Sequence, residues 1–332
     1  MKASDFVPPP RRDFPAWVRY VSLALLYGLA LPIVKVLELF GAWPRLMARR
    51  PPPEFLRSFG DYRPSAHDVI VCSYFKAGTT WTLQIATQIA FRGRAEFDQI
   101  HYAVPWPDVP FPPLARRIIP LADPSPAALS PTGLRVIKTH LTQPHVPLTP
   151  EARYLVVTRD PKDCCVSAYR FLEALALGPL MPSVAHWVDQ MQSPSFAAPW
   201  AEHLASYWAV RHEPNVLVIA YEEMKKDHAA AVRKIAKFMG VDLTPAELAE
   251  VVEQSSFAAM KKAAAKFEPG RVVPWGKDSA MLRRGVSGGS GELLTAEQQR
   301  RIDDHCRAEL ARLGCDFPYD AVFGVSAARD AT

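Results

Sequence analysis

The first candidate for chemistry is a short run with one lysine, one glycine and two threonines, Lys76-Ala77-Gly78-Thr79-Thr80-Trp81. Before it, Asp68–Phe75 is rich in β-branched and aromatic types and predicts a buried strand, and residues 81–91 have a helical pattern. A strand, a glycine-containing turn and a helix bring backbone N–H groups to a helix start, where an anion is favoured. The glycine would allow close approach, the lysine would add charge and the threonines would donate hydroxyl groups. The alternative is an ordinary strand, turn and helix with a solvated lysine.

A second strand-to-helix junction carries an arginine. Arg153–Arg159 predicts another buried strand, and Asp160 is expected to cap a helix that opens with Pro161. Arg159 would then stand at the carboxyl end of its strand, where open α/β sheets bind ligands, and Ser167 would lie two turns into the helix. The alternative is a capped helix with a surface arginine.

A third junction carries a histidine. Leu134–Thr139 predicts a strand that ends in Lys138-Thr139-His140-Leu141. A lone histidine is usually structural, but this one follows an apolar strand at the end where ligands gather. A neutral imidazole near physiological pH is able to accept a proton. The other eight histidines lack this context, and we assign them no role.

Three further patterns lie in the carboxyl-terminal half. Asn215–Ala220 predicts a strand that leads into Tyr221. Ser255 and Phe257 follow a helical stretch, and core packing of the phenylalanine is the alternative to contact with a ligand. Residues 266–291 contain six glycines and predict a mobile loop that includes Arg283-Arg284-Gly285.

Composition limits the classes of function. With 332 residues, of which 49% are hydrophobic and 22% charged, the chain is typical of one large α/β domain with appendages and not of a disordered protein. Five cysteines without a CxxC pair or metal-ligand spacing disfavour a disulfide framework or a structural zinc and suit a reducing compartment. The net charge of +5 arises entirely from residues 1–64. We therefore expect no nucleic-acid partner.

The basic excess accompanies an apolar segment near the N-terminus. Its uncharged core, Tyr20–Val34, would span roughly 22 Å as a helix, short of the ~30 Å hydrocarbon core of a bilayer. Extension to residues 14–43 adds length but admits three charged residues and Pro32, a helix breaker. The absence of a small-residue cleavage site argues against a signal peptide. We favour a helix in an anionic membrane face; the alternatives are packing on its own domain or on a second subunit.

The first run closely resembles a motif of one enzyme family. Sulfotransferases that use 3′-phosphoadenosine 5′-phosphosulfate (PAPS) have Y-P-K-S-G-T-T-W where this chain has Tyr74-Phe75-Lys76-Ala77-Gly78-Thr79-Thr80-Trp81. Phe75 and Ala77 depart from the family's proline and serine, and the alanine loses a hydroxyl contact. The resemblance implies that residues 76–81 bind the nucleotide.

The second and third junctions resemble the same family. The second is similar to R-N-P-K-D followed by V-S-x-Y, which assigns Arg159 and Ser167 to the nucleotide 3′-phosphate, a group that a guanidinium and a hydroxyl suit. The third is similar to K-T-H-L, which makes His140 the general base for the acceptor's proton. Lys138 and Lys76 would then place positive charge around the sulfuryl group and the leaving phosphate.

The carboxyl-terminal patterns also resemble the family. Tyr221 matches its F-Y-E-D-M step near the nucleotide, and Ser255 with Phe257 matches a T/S-S-F step whose aromatic ring faces adenine, so that Trp81 and Phe257 would enclose the base. Arg283-Arg284-Gly285 resembles R-K-G-x-x-G, which closes on the 3′-phosphate, although the following D-W is absent. The family's dimer motif is not visible, so the oligomeric state stays open.

The resemblance implies a fold and a reaction. The fold is α/β, a parallel sheet flanked by helices and similar to P-loop nucleotide kinases, with an apolar N-terminal helical extension. The reaction is in-line transfer of a sulfuryl group from PAPS to a hydroxyl or amine, without a metal. We divide the chain into an extension (1–64), a sulfotransferase domain (65–320) and a tail (321–332).

Two other functions remain as alternatives. An ATP-dependent small-molecule kinase of the P-loop type would need a lysine at the end of the first loop and residues for magnesium. A membrane-bound, non-catalytic lipid-binding module would not need Lys76, His140 and Arg159 together.

The acceptor is not encoded in these motifs. The apolar extension, Trp106 and Phe111 suggest a small-molecule or lipid-like acceptor, such as a hydrophobic alcohol. The proline-rich connection Pro105–Pro131 and the segment Phe171–Ala185 are expected to line its pocket. We expect a cytoplasmic protein, with peripheral contact at the cytoplasmic membrane face as the proposed role of residues 14–43.

Overall fold

The structure is a computed structural model that describes residues 14–42, 45, 52–110, 115, 118–193, 199–268, 273–276 and 281–324. Several parts of the sequence interpretation lie outside these residues: residues 1–13 of the extension, Trp43 at the end of the apolar segment, Phe111 in the predicted acceptor loop, residues 269–272 and 277–280 of the predicted mobile loop, and residues 325–332 of the tail.

Four parallel strands form one sheet in the order β2-β1-β3-β4. They are β1 (Asp68–Ser73), β2 (Arg135–Thr139), β3 (Arg153–Thr158) and β4 (Val216–Ala220). The connection after β1 leads to one edge of the sheet and the connection after β3 leads to the other. Such a sheet has a topological switch point between the carboxyl ends of β1 and β3, where α/β proteins bind ligands.

Helices surround the sheet. In chain order they are α1 (Ala16–Leu39), α2 (Pro53–Leu56), α3 (Thr79–Ala90), α4 (Ser125–Leu129), α5 (Pro161–Leu172), α6 (Val184–Met191), α7 (Trp200–Trp208), α8 (Tyr221–Lys226), α9 (His228–Met239), α10 (Pro245–Gln254), α11 (Phe257–Lys262), α12 (Ala296–Arg312) and α13 (Tyr319–Phe323). The predicted helix start at Asp160 is confirmed, because its side chain accepts from the Lys162 N–H at the start of α5; in addition, α10 opens with a capping box at Thr244.

Strand β1 lies at the centre of the core and is buried on both faces. Val69 and Val71 pack with Leu83 of α3 on one side of the sheet. Ile70 and Cys72 point to the opposite side, because successive strand side chains alternate. A fully buried aliphatic side chain of this kind stabilises the fold by about 1.5–3 kcal/mol. The strand that carries the first loop is therefore rigidly held.

Helix α1 is one continuous helix of 24 residues, long and apolar enough by length and composition to cross a membrane. Pro32 does not break it, contrary to the sequence prediction. A π-helical turn, Leu26–Ala30, precedes the proline, and the Leu31 N–H bonds to the Leu26 carbonyl. This wider turn accommodates the residue that cannot donate a backbone hydrogen bond.

Helix α1 contacts the rest of the fold along a narrow line. Its buried residues are Leu26, Val34 and Glu38. The Glu38 carboxylate accepts from the Ser183 N–H, from Lys35 Nζ at 2.8 Å and from His186 Nδ1 at 3.3 Å. Partial burial opposes ionisation, but these hydrogen bonds outweigh it and lower the pKa of Glu38 to about 2. One end of the helix is thus fixed to the loop before α6.

The remaining surface of α1 is exposed and apolar. Nine large apolar side chains of the helix, and Phe40 directly after it, are more than half exposed; the nine are Trp17, Tyr20, Val21, Leu25, Tyr27, Leu29, Ile33, Val36 and Leu39. At 3.6 residues per turn they extend over more than half of the helix circumference. Packing on its own domain therefore accounts for a minor part of this helix.

Candidate functional site

A cavity of about 510 Å³ opens at the carboxyl ends of the strands. Each of the four strands sends the residues that follow it into the cavity wall. All of the predicted site residues line the cavity except Ala77 and Ser255. The volume lies within the range of small-molecule sites.

The loop after β1 has an unusual backbone. Lys76 and Gly78 both adopt positive φ angles, +66° and +102°. A Cβ atom added to Gly78 would lie 2.6 Å from Tyr221 Cδ2, so this position accepts no side chain. The turn leads directly into α3, whose first N–H groups have no acceptor within the helix, and no acidic residue lies in its first turn. This helix start is therefore suited to an anion.

Ala77 and Thr79, the residues on either side of Gly78, stabilise the fold. The Ala77 N–H donates to the Tyr74 carbonyl at 3.0 Å, and the Ala77 methyl group is fully buried against α5. Thr79 is nearly buried, and its Oγ1 lies 2.7 Å from Ser73 Oγ. Ala77 thus shapes the loop from behind, whereas Thr80 and the Thr79 backbone border the cavity.

Arg159 stands at the end of β3, as the sequence predicted. Its Nη2 donates to the Val286 carbonyl at 2.9 Å and to Asp163 Oδ2 at 3.2 Å, and its Nη1 donates to the Lys76 carbonyl at 3.4 Å. Its Nε is buried and has no hydrogen-bond partner within the described residues. The guanidinium therefore joins the first loop, α5 and the segment 281–289, and Ser167 lines the cavity two turns along α5.

His140 lies immediately after β2. Its Nδ1 is 2.7 Å from the Ser73 carbonyl oxygen, and because a carbonyl can only accept, Nδ1 carries the proton. Nε2 is consequently the acceptor of the neutral ring. Burial, together with the Lys138 charge, lowers the pKa of His140 well below its ordinary value, so the ring is neutral at pH 7. The ring is positioned to take a proton from a group in the cavity.

Two lysines flank this histidine. Lys76 Nζ lies 4.0 Å from the centroid of the Phe171 ring, and Lys138 Nζ lies 3.2 Å from that of Trp106. Burial lowers the pKa of Lys76 to about 7, and the Arg159 charge acts in the same direction. Burial also lowers the pKa of Lys138, against the attraction of the Asp108 carboxylate. An anionic ligand would restore charge to both amines.

Asp108 is a residue that the sequence analysis did not single out. Its Oδ2 accepts the backbone N–H of His140 at 2.8 Å, and its Oδ1 is buried with no hydrogen-bond partner within the described residues. Burial raises its pKa. The sequence feature that could have indicated Asp108 is its position, as a carboxylate inside the proline-rich connection predicted to line the acceptor pocket. Asp108 holds the backbone of the candidate base.

The aromatic rings of Trp81, Tyr221 and Phe257 form one wall of the cavity, next to the first loop. The Trp81 ring meets the Tyr221 ring edge-on at 5.3 Å between centroids, and its Nε1 donates to the Ser255 carbonyl at 2.8 Å. Ser255 is fully buried behind Trp81 and contributes no surface to the cavity, whereas Phe257 lines it. His228, to which we assigned no role, also lines it, with its ring 5.2 Å from that of Trp81.

The glycine-rich segment closes this aromatic side. Arg283 and Arg284 both pair with Glu292, the former at 2.6 Å. A Cβ on Gly285 would overlap the Phe257 ring, so the main chain passes directly against that ring. The segment thus brings two arginines to the cavity edge.

The opposite side of the cavity is apolar. Phe75 and Phe171 meet edge-on at 5.7 Å, and Trp106 meets the His140 ring edge-on at 5.5 Å. Side chains from α2, including Phe55, complete this wall. Among the described residues, no group of three or more His, Cys, Asp or Glu side chains is arranged to hold a metal ion.

Comparison with known proteins agrees with this architecture. Sulfotransferase 1C2 of Oryctolagus cuniculus is 28% identical over 265 residues, which cover 75% of this chain and 85% of that protein. Sulfotransferase 2A1 of Homo sapiens is 28% identical over 263 residues, which cover 76% and 88%.

Two solved structures share the fold. Mouse sulfotransferase SULT7A1, complexed with PAP, superposes with a TM-score of 0.59 at 24% identity over 77% of this chain and 88% of that one. Retinol dehydratase, in complex with androsterone and the inactive cofactor PAP, gives 0.63 at 20% identity over 80% and 87%.

A match to a family model establishes the family of this chain. The sulfotransferase domain model matches residues 66–314, a span that contains all four strands and every residue predicted for the site. The fold class, the family resemblance and the enzyme class predicted from the motifs are thereby confirmed. With this match over three quarters of its length, the chain belongs to the sulfotransferase family.

Proposed function

We propose that this protein transfers the sulfuryl group of PAPS to a hydroxyl group of a hydrophobic acceptor, with His140 as general base. The observation that carries the proposal is the convergence, in one cavity, of two strand-to-helix junctions suited to an anion and a histidine whose Nε2 is an acceptor. In support, the solved structures of SULT7A1 and retinol dehydratase contain PAP, the desulfated nucleotide.

The residues present fit an anionic nucleotide. The buried Nε of Arg159 has no hydrogen-bond partner within the described residues, and a phosphate oxygen would supply one. Arg159, Ser167 and the segment Arg283-Arg284-Gly285 would hold the 3′-phosphate. Lys76, the hydroxyl of Thr80 and the backbone of Gly78 and Thr79 would hold the 5′ end. Trp81, Tyr221 and Phe257 would border the base, while Ala77 and Ser255 support the loop and Trp81 from behind.

When bound, PAPS supplies an activated sulfuryl group attached to a phosphate leaving group. His140 Nε2 would accept the acceptor's hydroxyl proton as the new S–O bond forms, and the Nδ1–H bond to the Ser73 carbonyl would stabilise the resulting imidazolium. Lys76 and Lys138 would offset negative charge on the transferring group and the leaving phosphate. Positioning and charge stabilisation are thus the main contributions of the protein.

The apolar side of the cavity supports a hydrophobic acceptor. Phe75, Trp106 and Phe171 surround the position next to His140 with aromatic rings, and the one carboxylate beside it, that of Asp108, accepts the His140 backbone N–H. The solved structures of retinol dehydratase contain androsterone or retinol, both apolar alcohols. We therefore expect an apolar alcohol or a lipid-like molecule.

Two measurements test the proposal. Calorimetry should show binding of PAP and none of ATP; the reverse result would favour a P-loop kinase. Sulfur-labelled PAPS supplied with a lipid extract should yield a labelled apolar product. Labelling of small polar acceptors alone would refute the acceptor class, and a complete lack of product over a broad panel would favour the lipid-binding module.

We also propose that α1 contacts an anionic membrane face as a peripheral attachment. Its exposed apolar surface extends around more than half of the helix, whereas a protein groove would cover one stripe. Arg19 lies near one end of the helix, where lipid headgroups would meet it, and Lys35 lies near the other end, where its half-exposed side chain also pairs with Glu38.

Vesicle flotation tests the membrane proposal. The full chain should float with vesicles that contain phosphatidylserine, and the Leu29→Ser/Ile33→Ser double variant should not. Leu313→Ser changes an exposed leucine outside α1, and this matched control should float normally. Equal recovery of all three proteins in the soluble fraction would contradict the proposal.

A further inference from the structure

His228 lies at the aromatic side of the cavity without a role in the proposed transfer. It is the first residue of α9, follows the capping residue Asp227 and is half-buried. Its ring lies 5.2 Å from that of Trp81 at an angle of 52° and forms part of the cavity wall. The imidazole is therefore adjacent to the ring expected to stack on the nucleotide base.

The hydrogen bonds around Ser255 fix the tautomer of this histidine. Ser255 Oγ is 2.6 Å from the carbonyl oxygen of Val251, to which it must donate its single proton. Toward His228 Nε2, at 3.0 Å, the same oxygen can then only accept. Nε2 therefore carries the ring proton, and Nδ1 of the neutral imidazole is an acceptor. Burial and the nearby Lys225 lower the pKa of His228, which keeps the ring neutral at pH 7.

The same cluster fixes the position of the ring. Trp81 Nε1 donates to the Ser255 carbonyl, so the tryptophan and the histidine are both attached to one serine. A base that stacks on Trp81 would present its edge to His228. An acceptor at that edge favours a base with an amino group and disfavours a base with a carbonyl oxygen.

We propose that His228 Nδ1 accepts a hydrogen bond from the 6-amino group of adenine and thereby selects adenine over hypoxanthine in the donor nucleotide. The inference rests on the proposed binding of PAPS. His228 would thus recognise the base, in addition to the residues that are proposed to bind the phosphates and to stack on the adenine ring.

Calorimetry with two nucleotides tests the selection. Adenosine 3′,5′-bisphosphate and inosine 3′,5′-bisphosphate differ at the 6-position, where an amino group is replaced by a carbonyl. The unmodified protein should bind the adenosine compound about tenfold more tightly, as expected for one hydrogen bond lost and one repulsive oxygen gained. His228→Phe keeps a ring against Trp81 but has no acceptor, and it should bind both compounds with equal affinity.

Two further variants separate selection from folding. His228→Asn offers an amide oxygen near the position of Nδ1 and should restore at least part of the preference, which also gives a measurement if the phenylalanine variant fails to fold. His212→Phe alters an exposed histidine away from the cavity and should leave the preference at its original value.

The outcomes distinguish the two proposals. Binding of both nucleotides by the unmodified protein without preference, or a preference that persists in His228→Phe, would overturn the role of His228 and leave PAPS binding intact. Failure of the unmodified protein to bind either nucleotide would overturn the proposed function itself.

Discussion

The two halves of the cavity are built in different ways. On the side that we propose binds the nucleotide, main-chain geometry at strand ends forms the wall: Gly78 has no room for a side chain, and Arg159 joins three chain segments. On the side that we propose binds the acceptor, the wall is made of apolar side chains from distant parts of the sequence, such as Phe55, Trp106 and Phe171.

This difference has a consequence for substitution. A main-chain anion site depends on φ angles and close approaches, which tolerate few replacements. An apolar wall can exchange one side chain for another of similar volume at modest cost. We therefore expect the nucleotide to be fixed by the fold and the acceptor to be set by a few replaceable side chains, and each of the following changes tests that division.

The largest effect is expected at the boundary of the two halves. His140→Ala removes the proposed proton acceptor and should lower turnover by about 10²- to 10⁴-fold with little change in nucleotide affinity. Initial rates and calorimetry on the same preparation measure both quantities. His145→Ala, an exposed histidine that also borders the cavity, is the control. Undiminished turnover in His140→Ala would remove it as the base.

The next effect concerns the first loop. Gly78→Ala places a methyl group in the space of the Tyr221 ring at a φ angle of +102°, and nucleotide affinity should fall by about tenfold to hundredfold. Gly314→Ala adds a methyl group at a φ of +64° in open space outside the cavity wall, and it should leave nucleotide affinity unchanged. An unchanged affinity in Gly78→Ala would show that the close approach of Tyr221 does not matter.

A smaller effect is expected on the acceptor side. Phe55→Ala removes an apolar side chain from the wall and should raise the KM for an apolar acceptor about tenfold, with the nucleotide Kd unchanged. Phe323→Ala, a partly buried phenylalanine elsewhere, should change neither constant. A weakened nucleotide Kd in Phe55→Ala would contradict the division of the cavity.

Protonation provides a finer test. Because burial lowers the pKa of Lys76 to about 7, much of this amine is neutral at pH 8, and an anionic nucleotide should raise its pKa and draw in a proton. Because the pKa of Lys138 is also lowered to about 7, calorimetry in buffers of different ionisation enthalpy should show uptake of about one to two protons at pH 8. Uptake should approach zero near pH 6, where the amine is already charged. Proton uptake at pH 8 should be smaller in Lys76→Met and unchanged in Lys225→Met, a control at the cavity edge. Equal uptake at pH 6 and pH 8 would argue against protonation of Lys76 as its source.

The smallest effect is expected at the anchor of α1. Glu38→Gln should lower the free energy of unfolding by about 1–3 kcal/mol, since a charged acceptor of three hydrogen bonds is lost. The stabilisation by Glu38 is present above its unfolded pKa of 4.5 and should disappear as the pH falls through about 2. Denaturant titrations at pH 7 and pH 3 measure both, and nucleotide affinity should not change. A loss of nucleotide affinity would couple the helix to the distant side of the cavity.

The sequence predicted the parts of the site that depend on local chemistry. The junctions at Lys76, His140 and Arg159 follow apolar strands, and parallel strands bring their carboxyl ends together, so short motifs indicated the elements and their common edge. Ala77 and Ser255 show the limit of that reasoning, because a motif does not tell which of its members face the ligand and which support the others.

What the sequence could not predict arises from contacts over long separations. Asp108 reaches the His140 backbone from an irregular connection, and the role of His228 depends on the hydrogen bonds of Ser255, 27 residues away. Pro32 misled the prediction of helix α1 because its effect depends on whether the preceding turn can widen.

The main chain at Gly285 passes against the Phe257 ring. The same segment is attached to the elements proposed to bind phosphate, through Arg159 and the Val286 carbonyl and through the Gly288 N–H and Asp163. A bound nucleotide would therefore be covered by this segment, which is attached through the same residues that are proposed to bind the nucleotide. Release of the desulfated nucleotide would require these contacts to break together. We therefore expect product release, rather than sulfuryl transfer, to limit the rate of turnover.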